Sequence, residues 1–388
     1  MPRTESTPDP ARLALAPLHP AFGGLLALAV AIGVGRFVYT PIRPPMVASL
    51  GLSKFAAGLI ASANFAGYLG GALFAAGAWL PGSRRAWLLS ALVVSAASTA
   101  AMGLTRALPL FLALRFAGGV ASVLILASTV VLERLAEAGR PDLSALLFAG
   151  VGAGIAASAV LVSAMRAERQ AWPSLWLASG VLPLAVIPAI AALIPAGSAP
   201  PLHPPRRRAD GPEDWRLFRL LAAYGLFGFG YIITATFLVA MVRDDPMSRS
   251  LEPVVWVVFG LAAAPSVALW TRLARRLGVP GTFALASVVE ALGVLTSVAG
   301  LGVAGIFLTA VLVGGTFMGL TALGLVRARE LATGDPRRAL ALMTGAFGLG
   351  QILGPAFAGA VYDHLGSFAL PSVIAATAMT AAAALARR

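Results

Sequence analysis

Long apolar runs, separated by short polar breaks, make up nearly the whole chain of 388 residues. Each run is long enough to cross a bilayer core about 30 Å thick as an α-helix. The pattern therefore predicts an all-α integral membrane protein with 12 transmembrane helices. The predicted spans lie near residues 21–42, 54–78, 86–104, 107–132, 142–164, 174–195, 215–241, 252–271, 279–299, 302–326, 337–361 and 367–386.

One long polar interruption falls at the middle of the chain. Residues 196–214 are crowded with proline and arginine, and six predicted spans lie on either side of them. We interpret this stretch as a cytoplasmic linker between an N-terminal six-helix bundle (21–195) and a C-terminal six-helix bundle (215–388). Residues 1–20 are predicted to form a cytoplasmic N-terminal tail.

The two predicted bundles repeat each other. The segment "FLALRFAGG" at 111–119 aligns with "FLTAVLVGG" at 307–315, an offset of 196 residues. The same offset brings glycines of span 5 onto glycines of span 11, and an offset of 195 does so for spans 1 and 7. Parallel repeats related by an axis along the membrane normal are a known way of building transporters. The sequence thus predicts two pseudo-symmetric halves.

The composition is that of a membrane protein, so the net positive charge of the chain is interpreted in terms of membrane topology. The chain is 59% apolar, only 12% of its residues are charged, and its mean hydropathy is +0.86. If both termini are cytoplasmic, 20 of the 29 basic residues lie in inner loops and tails and 7 in outer loops. In membrane proteins, basic residues are typically more frequent in cytoplasmic loops than in outer loops. We therefore interpret the net charge of +13 as a sign of orientation, and we predict a bacterial inner-membrane protein with both termini in the cytoplasm. We predict no nucleic-acid partner.

Several catalytic and cofactor classes lack support. The chain has no cysteine, and its three histidines show no metal-like spacing. The glycine-rich segments at 150–154 and 348–354 follow no strand of a βαβ unit, so they favour helix packing over nucleotide binding. No nucleophile has a base and an orienting acid nearby in sequence. We expect a protein that is not an enzyme and that has no cofactor or metal site.

Two arginines lie inside predicted spans, where a charge costs about 2.5–3.5 kcal/mol even on lenient scales. Arg36 belongs to "AIGVGRFVYTPIRPPM" at 31–46, and Arg115 lies in span 4. Counting about 1.5 Å per residue places both at comparable depth in the outer half of the bilayer. Three prolines at 41, 44 and 45 are predicted to end span 1 near the outer face. Arg43 is then counted in an outer loop.

Short motifs resemble a known family. "RFAGG" from Arg115 to Gly119 resembles the Arg-x-x-Gln-Gly motif of the major facilitator superfamily (MFS), with Gly118 in place of the glutamine. "GVGRFVYTP" at 33–41 and "ASANFAGY" at 61–68 resemble the YbfB/YjiJ-like branch. This resemblance implies the MFS fold, with a central cavity, alternating access and secondary transport. It also implies that spans 1 and 4 are neighbours lining that cavity.

The chain departs from the superfamily in places. The loop "GAWLPGSRR" at 77–85 has Pro81 where the superfamily carries an acid, which weakens the usual account of a cytoplasmic charge-relay gate. Drug antiporters typically have a proline-rich span 5 and often an acid on span 1. Here span 5 has no proline and span 1 has an arginine, which argues against export of cationic drugs.

The function predicted from these features is secondary active transport of a small organic solute, first of all an anion such as a carboxylate, coupled to protons. Export of amphipathic toxic compounds is the alternative, and a non-transporting receptor or scaffold is a third interpretation. We expect a monomer whose partners are the solute, the lipid bilayer and protons. The candidate substrate-binding residues are Arg36, Tyr39, Thr40, Asn64, Tyr68, Arg115, Tyr231, Thr234 and Gln351.

Two structural alternatives stay open. Arg36 and Arg115 could simply bond to backbone carbonyls and lock the N-terminal half. Glu290 lies on span 9, and in the resembled fold that span supports the bundle from outside the cavity. We predict that Glu290 is structural, and proton coupling is the alternative role.

Overall fold

A computed structural model describes residues 18–77, 83–127, 143–194, 215–244, 248–333 and 336–387. Within those ranges the regular structure is entirely helical. The predicted linker and nearly all of the predicted N-terminal tail lie outside the described residues.

The first half contains six helices long and apolar enough to cross a bilayer. Helix α1 spans Leu18–Leu50 with an internal break, and a 3₁₀ turn follows α3. The others are α2 (Lys54–Gly77), α3 (Arg84–Ala101), α4 (Leu108–Ala127), α5 (Ser144–Ala167) and α6 (Trp172–Leu193).

The second half repeats this order. Its helices are α7 (Trp215–Asp244), α8 (Glu252–Ala263 and Ser266–Leu277), α9 (Val279–Thr296), α10 (Gly302–Leu331), α11 (Pro336–Leu365) and α12 (Ala369–Arg387). Helix α8 bends by 41° at Pro265, which has no N–H to donate and whose ring crowds the preceding turn. With that bent pair counted as one span, the described chain holds the predicted 12 spans.

Helix packing follows the same scheme in both halves. Helix α1 packs on α5, α2 on α4 and α3 on α6, while α7 packs on α11, α8 on α10 and α9 on α12. Between the halves, α2 packs on α11 and α5 packs on α8. Adding six to each helix number converts one set of pairs into the other. The prediction of two pseudo-symmetric six-helix bundles is confirmed.

The repeat extends to individual backbone contacts. A Cβ atom added to Gly154 of α5 would lie 2.3 Å from the carbonyl oxygen of Ala29 on α1. One added to Gly350 of α11 would lie 2.2 Å from the carbonyl oxygen of Gly225 on α7. Both residues of the second pair follow those of the first by 196 positions. Only glycine permits such an approach, because backbone atoms cannot move aside as a flexible side chain can.

Helix α1 is broken at its centre. An α-helical segment (Leu18–Leu28) runs into a π-helical turn (Ala29–Val34), and helical geometry resumes at Tyr39–Leu50. The irregular residues 35–38 lie one turn before Pro41, which lacks an N–H and whose ring would clash with the carbonyl of residue 37. The amide of Thr40 bonds to that carbonyl instead, at 3.2 Å.

The prediction that the prolines end span 1 is wrong. Pro41 lies in the first turn of the second segment, where a missing N–H costs no helical bond. The helix continues through Pro44 and Pro45 to Leu50, and the chain turns at Gly51, which has a φ of +63°. Arg36 consequently lies near the middle of α1, whereas the predicted span placed it in the outer half.

The two halves meet at the end of the bundle where α1 joins α2, α5 joins α6, α7 joins α8 and α11 joins α12. We call it the α1–α2 end. There Lys54 Nζ lies 3.2 Å from a carboxylate oxygen of Asp244. The Asp363 carboxylate accepts the amide hydrogens of Lys54 and Phe55, both at 2.9 Å. These contacts join α2 to α7 and α11, so this end is closed.

Candidate functional site

Arg115 stabilises the break in α1. Its Nη1 donates to the carbonyl of Gly35 and its Nη2 to the carbonyl of Arg36, both at 2.8 Å. Because the helix is irregular here, these carbonyls lack the regular bonds of an α-helix, and a planar guanidinium can reach two of them at once. The contact confirms that spans 1 and 4 are neighbours. It also fits the structural alternative for Arg115, that of bonding to backbone carbonyls.

Arg36 is in a different situation, although it lies beside Arg115. Its side chain is only 7% exposed, and its Nε and Nη2 have no hydrogen-bond partner. The guanidinium lies over two rings of α2, at 5.0 Å from the Phe65 centroid and 4.4 Å from the Tyr68 centroid. Cation–π attraction offsets part of the desolvation of the charge but supplies no acceptor for the two N–H groups.

The predicted residues of α1 and α2 mostly make packing contacts. The Tyr39 hydroxyl donates to the Ala57 carbonyl at 2.7 Å, and its ring stacks on Trp176. Asn64 donates its amide hydrogen to the Arg115 carbonyl at 2.9 Å, while its Oδ1 has no partner. These contacts hold the first half together and leave little of either side chain for a ligand.

Thr40 reaches the other half of the molecule. Its hydroxyl donates to the Ala235 carbonyl on α7 at 3.0 Å. It therefore belongs to the contacts that close the α1–α2 end.

The predicted residues of the second half pack against aromatic rings. Tyr231 stacks on Phe317 of α10 and on Phe347 of α11, with centroid separations of 5.5 and 5.8 Å. Its hydroxyl accepts a hydrogen bond from Nε2 of Gln351, whose Oε1 is buried without a partner. The Thr234 hydroxyl is likewise buried and unpartnered.

Four of the predicted residues come together between the halves. Tyr68 and Tyr231 are both close enough to Arg36 to interact with it electrostatically, and Gln351 bonds to Tyr231. We call Arg36, Tyr68, Tyr231 and Gln351 the central polar cluster. It offers two N–H donors on Arg36 and one carbonyl acceptor on Gln351 that no protein group satisfies.

Arg43 is buried, contrary to the prediction that it lies in an outer loop. The predicted outer-loop residue is a fully enclosed side chain of α1, only 1% exposed, with its guanidinium 4.3 Å above the Phe237 ring of α7. Removing it from the count changes the predicted bias of basic residues from 20 against 7 to 20 against 6, so the bias keeps its direction and the orientation stays a prediction.

The buried arginines have no acidic partners in the described part of the chain. No carboxylate there lies within salt-bridge distance of Arg36, Arg43 or Arg115. The first half therefore carries three buried guanidinium groups whose charge no nearby carboxylate balances directly.

Glu290 is a buried acid in the second half. It is 0% exposed, and neither carboxylate oxygen has a hydrogen-bond partner. The Thr316 hydroxyl lies beside it but donates to the Leu312 carbonyl of its own helix at 2.6 Å. Helix α9, which carries Glu290, packs on α10 and α12, in keeping with the supporting position that was predicted.

Sequence reasoning missed several rings around the cluster. Phe65 lies inside the motif at 61–68 but was not singled out. The aromatic residues of α7 follow a helical spacing, with Tyr224, Phe227 and Tyr231 three and four positions apart, and such spacing predicts a shared face. Phe317 and Phe347, from helices far apart in sequence, gave no local signal.

A cavity of about 310 Å³ lies at the α1–α2 end. None of the predicted binding residues lines it. Arg36, whose span was expected to line a central cavity, is buried in this conformation.

Comparisons with known proteins agree with this architecture. The family model described as "Uncharacterised MFS-type transporter YbfB" matches residues 28–387. Two solved structures titled as the nucleoside transporter NupG, the first a point mutant, are similar in fold, with TM-scores of 0.74 and 0.71 at 15% and 16% identity. Each match covers 95% of this chain and 98% of the other. No curated protein matches the chain.

The family match covers nearly all the described helices, and the fold likeness covers both halves. The resemblance inferred from the motifs at 33–41, 61–68 and 115–119 is thereby confirmed. The chain belongs to the family of MFS-type transporters represented by YbfB, and it is a multi-span membrane protein with the fold of a secondary transporter.

Proposed function

We propose that the protein moves a small organic anion, most readily a carboxylate, across the bacterial inner membrane by alternating access, with protons as the coupling ion. The proposal includes a monomer with both termini in the cytoplasm. On that orientation the α1–α2 end is the outer end, and the conformation described here is closed to the outside.

The observation that carries the anion proposal is the state of Arg36. A guanidinium buried in the middle of a membrane helix is costly, and an arrangement that leaves two of its N–H groups unsatisfied adds to that cost. A carboxylate could accept both N–H groups in a paired, charge-assisted contact. A planar guanidinium suits this geometry better than an ammonium group does.

The position of the central polar cluster suits alternating access. Arg36 and Tyr68 come from the first half, and Tyr231 and Gln351 come from the second. A ligand bound between them would be held by both halves. Rocking of one half against the other would then change access to the ligand without any chemical step.

The experiment is a thermal-shift screen of the purified protein against anionic, neutral and cationic metabolites at two pH values. A ligand that binds only the folded state raises stability in proportion to the logarithm of its concentration over Kd. We expect carboxylates to protect the wild type. Arg36→Lys should lower the carboxylate affinity about tenfold and Arg36→Ala about a hundredfold or more, since one or two charge-assisted hydrogen bonds are lost. The thermal shift at a fixed carboxylate concentration should fall accordingly.

The matched control is Arg275→Ala, which removes an exposed arginine near the opposite end of α8. It should bind carboxylates as the wild type does. Full carboxylate binding by a well-folded Arg36→Ala protein would overturn the anion proposal.

A neutral nucleoside is the second candidate, favoured by the rings around Tyr231. A planar base could stack on such rings, and the free Oε1 of Gln351 could accept a hydrogen bond from it. The two similar structures are titled as a nucleoside transporter. Protection by uridine or adenosine that survives Arg36→Ala but is lost in Gln351→Leu would favour this candidate over the anion.

A further inference from the structure

The cavity at the α1–α2 end is built from both halves of the molecule. Pro41 of α1 and Ser163 and Arg166 of α5 line one side. The opposite side is formed by Val239 of α7 and by residues of the turn leading into α8, among them Arg249. Its volume of about 310 Å³ is at the lower end of the range for small-molecule sites, roughly 300–1,000 Å³.

The charge around this cavity is unequal. Glu252 is 7% exposed and forms an ion pair with Arg166 across the two halves. The same carboxylate oxygen lies 3.8 Å from Nη1 of Arg243, which has no hydrogen-bond partner. Arg249 also lines the cavity and donates its Nε to the Arg243 carbonyl at 3.0 Å. Arg166 and Arg249 thus line the cavity together with a single carboxylate, and Arg243 lies beside that carboxylate, so the cavity is positive.

We infer that this cavity is a second binding site, for a small organic anion with more than one carboxylate, separate from the central polar cluster. The outer guanidinium nitrogens of Arg249 and the hydroxyl of Ser250 are the groups that would contact the anion. Both residues line the cavity and are exposed, and neither belongs to the central cluster.

The site has a consequence for the transport cycle. The walls of the cavity come from α1 and α5 on one side and from α7 and α8 on the other. Separation of the halves at this end would therefore pull the two walls apart and remove the site. A ligand that binds only one conformation shifts the population towards that conformation. An anion in this cavity therefore holds the α1–α2 end closed and inhibits transport without competing at Arg36.

The test uses citrate as the probe and the purified full-length protein. We expect citrate to bind the wild type and to keep binding to Arg36→Ala, in which the central cluster no longer holds a carboxylate, in titration calorimetry. Arg249→Gln and Ser250→Asp should each weaken binding about tenfold or more, through loss of a charge-assisted hydrogen bond or addition of a negative charge. Both positions are exposed, so neither change disturbs the core. Arg275→Gln is the matched control and should bind as the wild type does.

A distance measurement tests closure. The chain has no cysteine, so Ser49→Cys on α1 and Leu365→Cys on α11 provide two specific positions for spin labels across the halves. Citrate should increase the short-distance population in the otherwise wild-type protein and leave it unchanged with Arg249→Gln.

Three results would overturn the inference. Wild-type protein that does not bind citrate would do so. Binding lost in Arg36→Ala but kept in Arg249→Gln and Ser250→Asp would assign the anion to the central cluster alone. A citrate-induced increase of the long-distance population would contradict closure. The proposed transport of an anion through the central cluster can fail without affecting any of these measurements.

Discussion

The two halves share a backbone design but differ in the chemistry at their centre. Both pack their first and fifth helices through a glycine at positions 196 apart. The first half then buries Arg36, Arg43 and Arg115, whereas the second half buries stacked rings around Tyr231 and two acids, Glu252 and Glu290. The repeat therefore constrains where helices touch, and it leaves the side chains between the halves free to differ. On the proposed function, a solute held there would meet cationic groups on one side and aromatic groups on the other.

The largest effect should come from the shared backbone design. Gly154→Leu and Gly350→Leu should each prevent accumulation of folded protein, because a side chain at either position meets a backbone oxygen at 2.3 or 2.2 Å. Gly345→Leu, in the same helix as Gly350, is the control, since a Cβ there meets nothing within 4 Å. Fluorescence-detected size exclusion measures the folded yield. A well-folded variant at only one of the two sites would show that the halves are not equivalent there.

The next effect separates the two neighbouring arginines. Arg115→Met should lower the free energy of unfolding by about 3 kcal/mol or more, because two backbone carbonyls lose charged donors. Arg36→Met should leave stability nearly unchanged or raise it, since two unsatisfied N–H groups disappear. Thermal unfolding of both variants without ligand measures this contrast. Equal losses of stability would mean that Arg36 is a structural residue like Arg115.

A smaller effect is expected in the aromatic half. Tyr231→Phe keeps the stacked ring but removes the acceptor for Gln351, which leaves a buried amide donor unsatisfied at a cost of about 1–3 kcal/mol. The double variant with Gln351→Leu should recover much of that loss. Carboxylate affinity should also fall in both variants, because each removes a polar group from the second-half side of the central polar cluster. Unchanged carboxylate binding in Tyr231→Phe would instead confine the anion contact to the first half.

Glu290→Gln should have the smallest effect. The amide has nearly the same shape, and we predict that the acid supports the fold without carrying the coupling proton. The variant should remain folded and should keep the pH dependence of solute uptake in proteoliposomes. A folded protein that has lost only that pH dependence would assign the coupling proton to Glu290.

The lengths of the apolar runs and the internal repeat were sufficient to predict the twelve spans, because both are visible along the whole sequence. Helix α1 was predicted too short since three prolines normally indicate a helix end. One of them sits in a first turn, where it does no harm, and the chain tolerates the two that follow. The burial of Arg43 depends on Phe237, which comes from the other half, and no local pattern near residue 43 could reveal it.

The candidate site was predicted in part. The motif residues placed Arg36 beside Arg115 and near Tyr68, as the structure shows. Their differing roles could not be predicted, because they depend on which carbonyls the break in α1 leaves free. The rings that surround Tyr231 converge from three helices, and only those of α7 have a spacing that the sequence displays.

The ion pairs at the α1–α2 end favour packing of the first half against the second over packing of either half against its own copy. Helix α2 presents Lys54, whose ammonium pairs with Asp244 of α7 and whose amide donates to the Asp363 carboxylate of α11. The equivalent seam places Glu252 of α8 against Arg166 of α5, with the charges reversed. Two copies of the first half joined in the same manner would bring Lys54 against Arg166. Two copies of the second would bring Glu252 against Asp363. Like charges oppose both of these arrangements. The halves, made as separate polypeptides, should therefore assemble with each other and not with themselves.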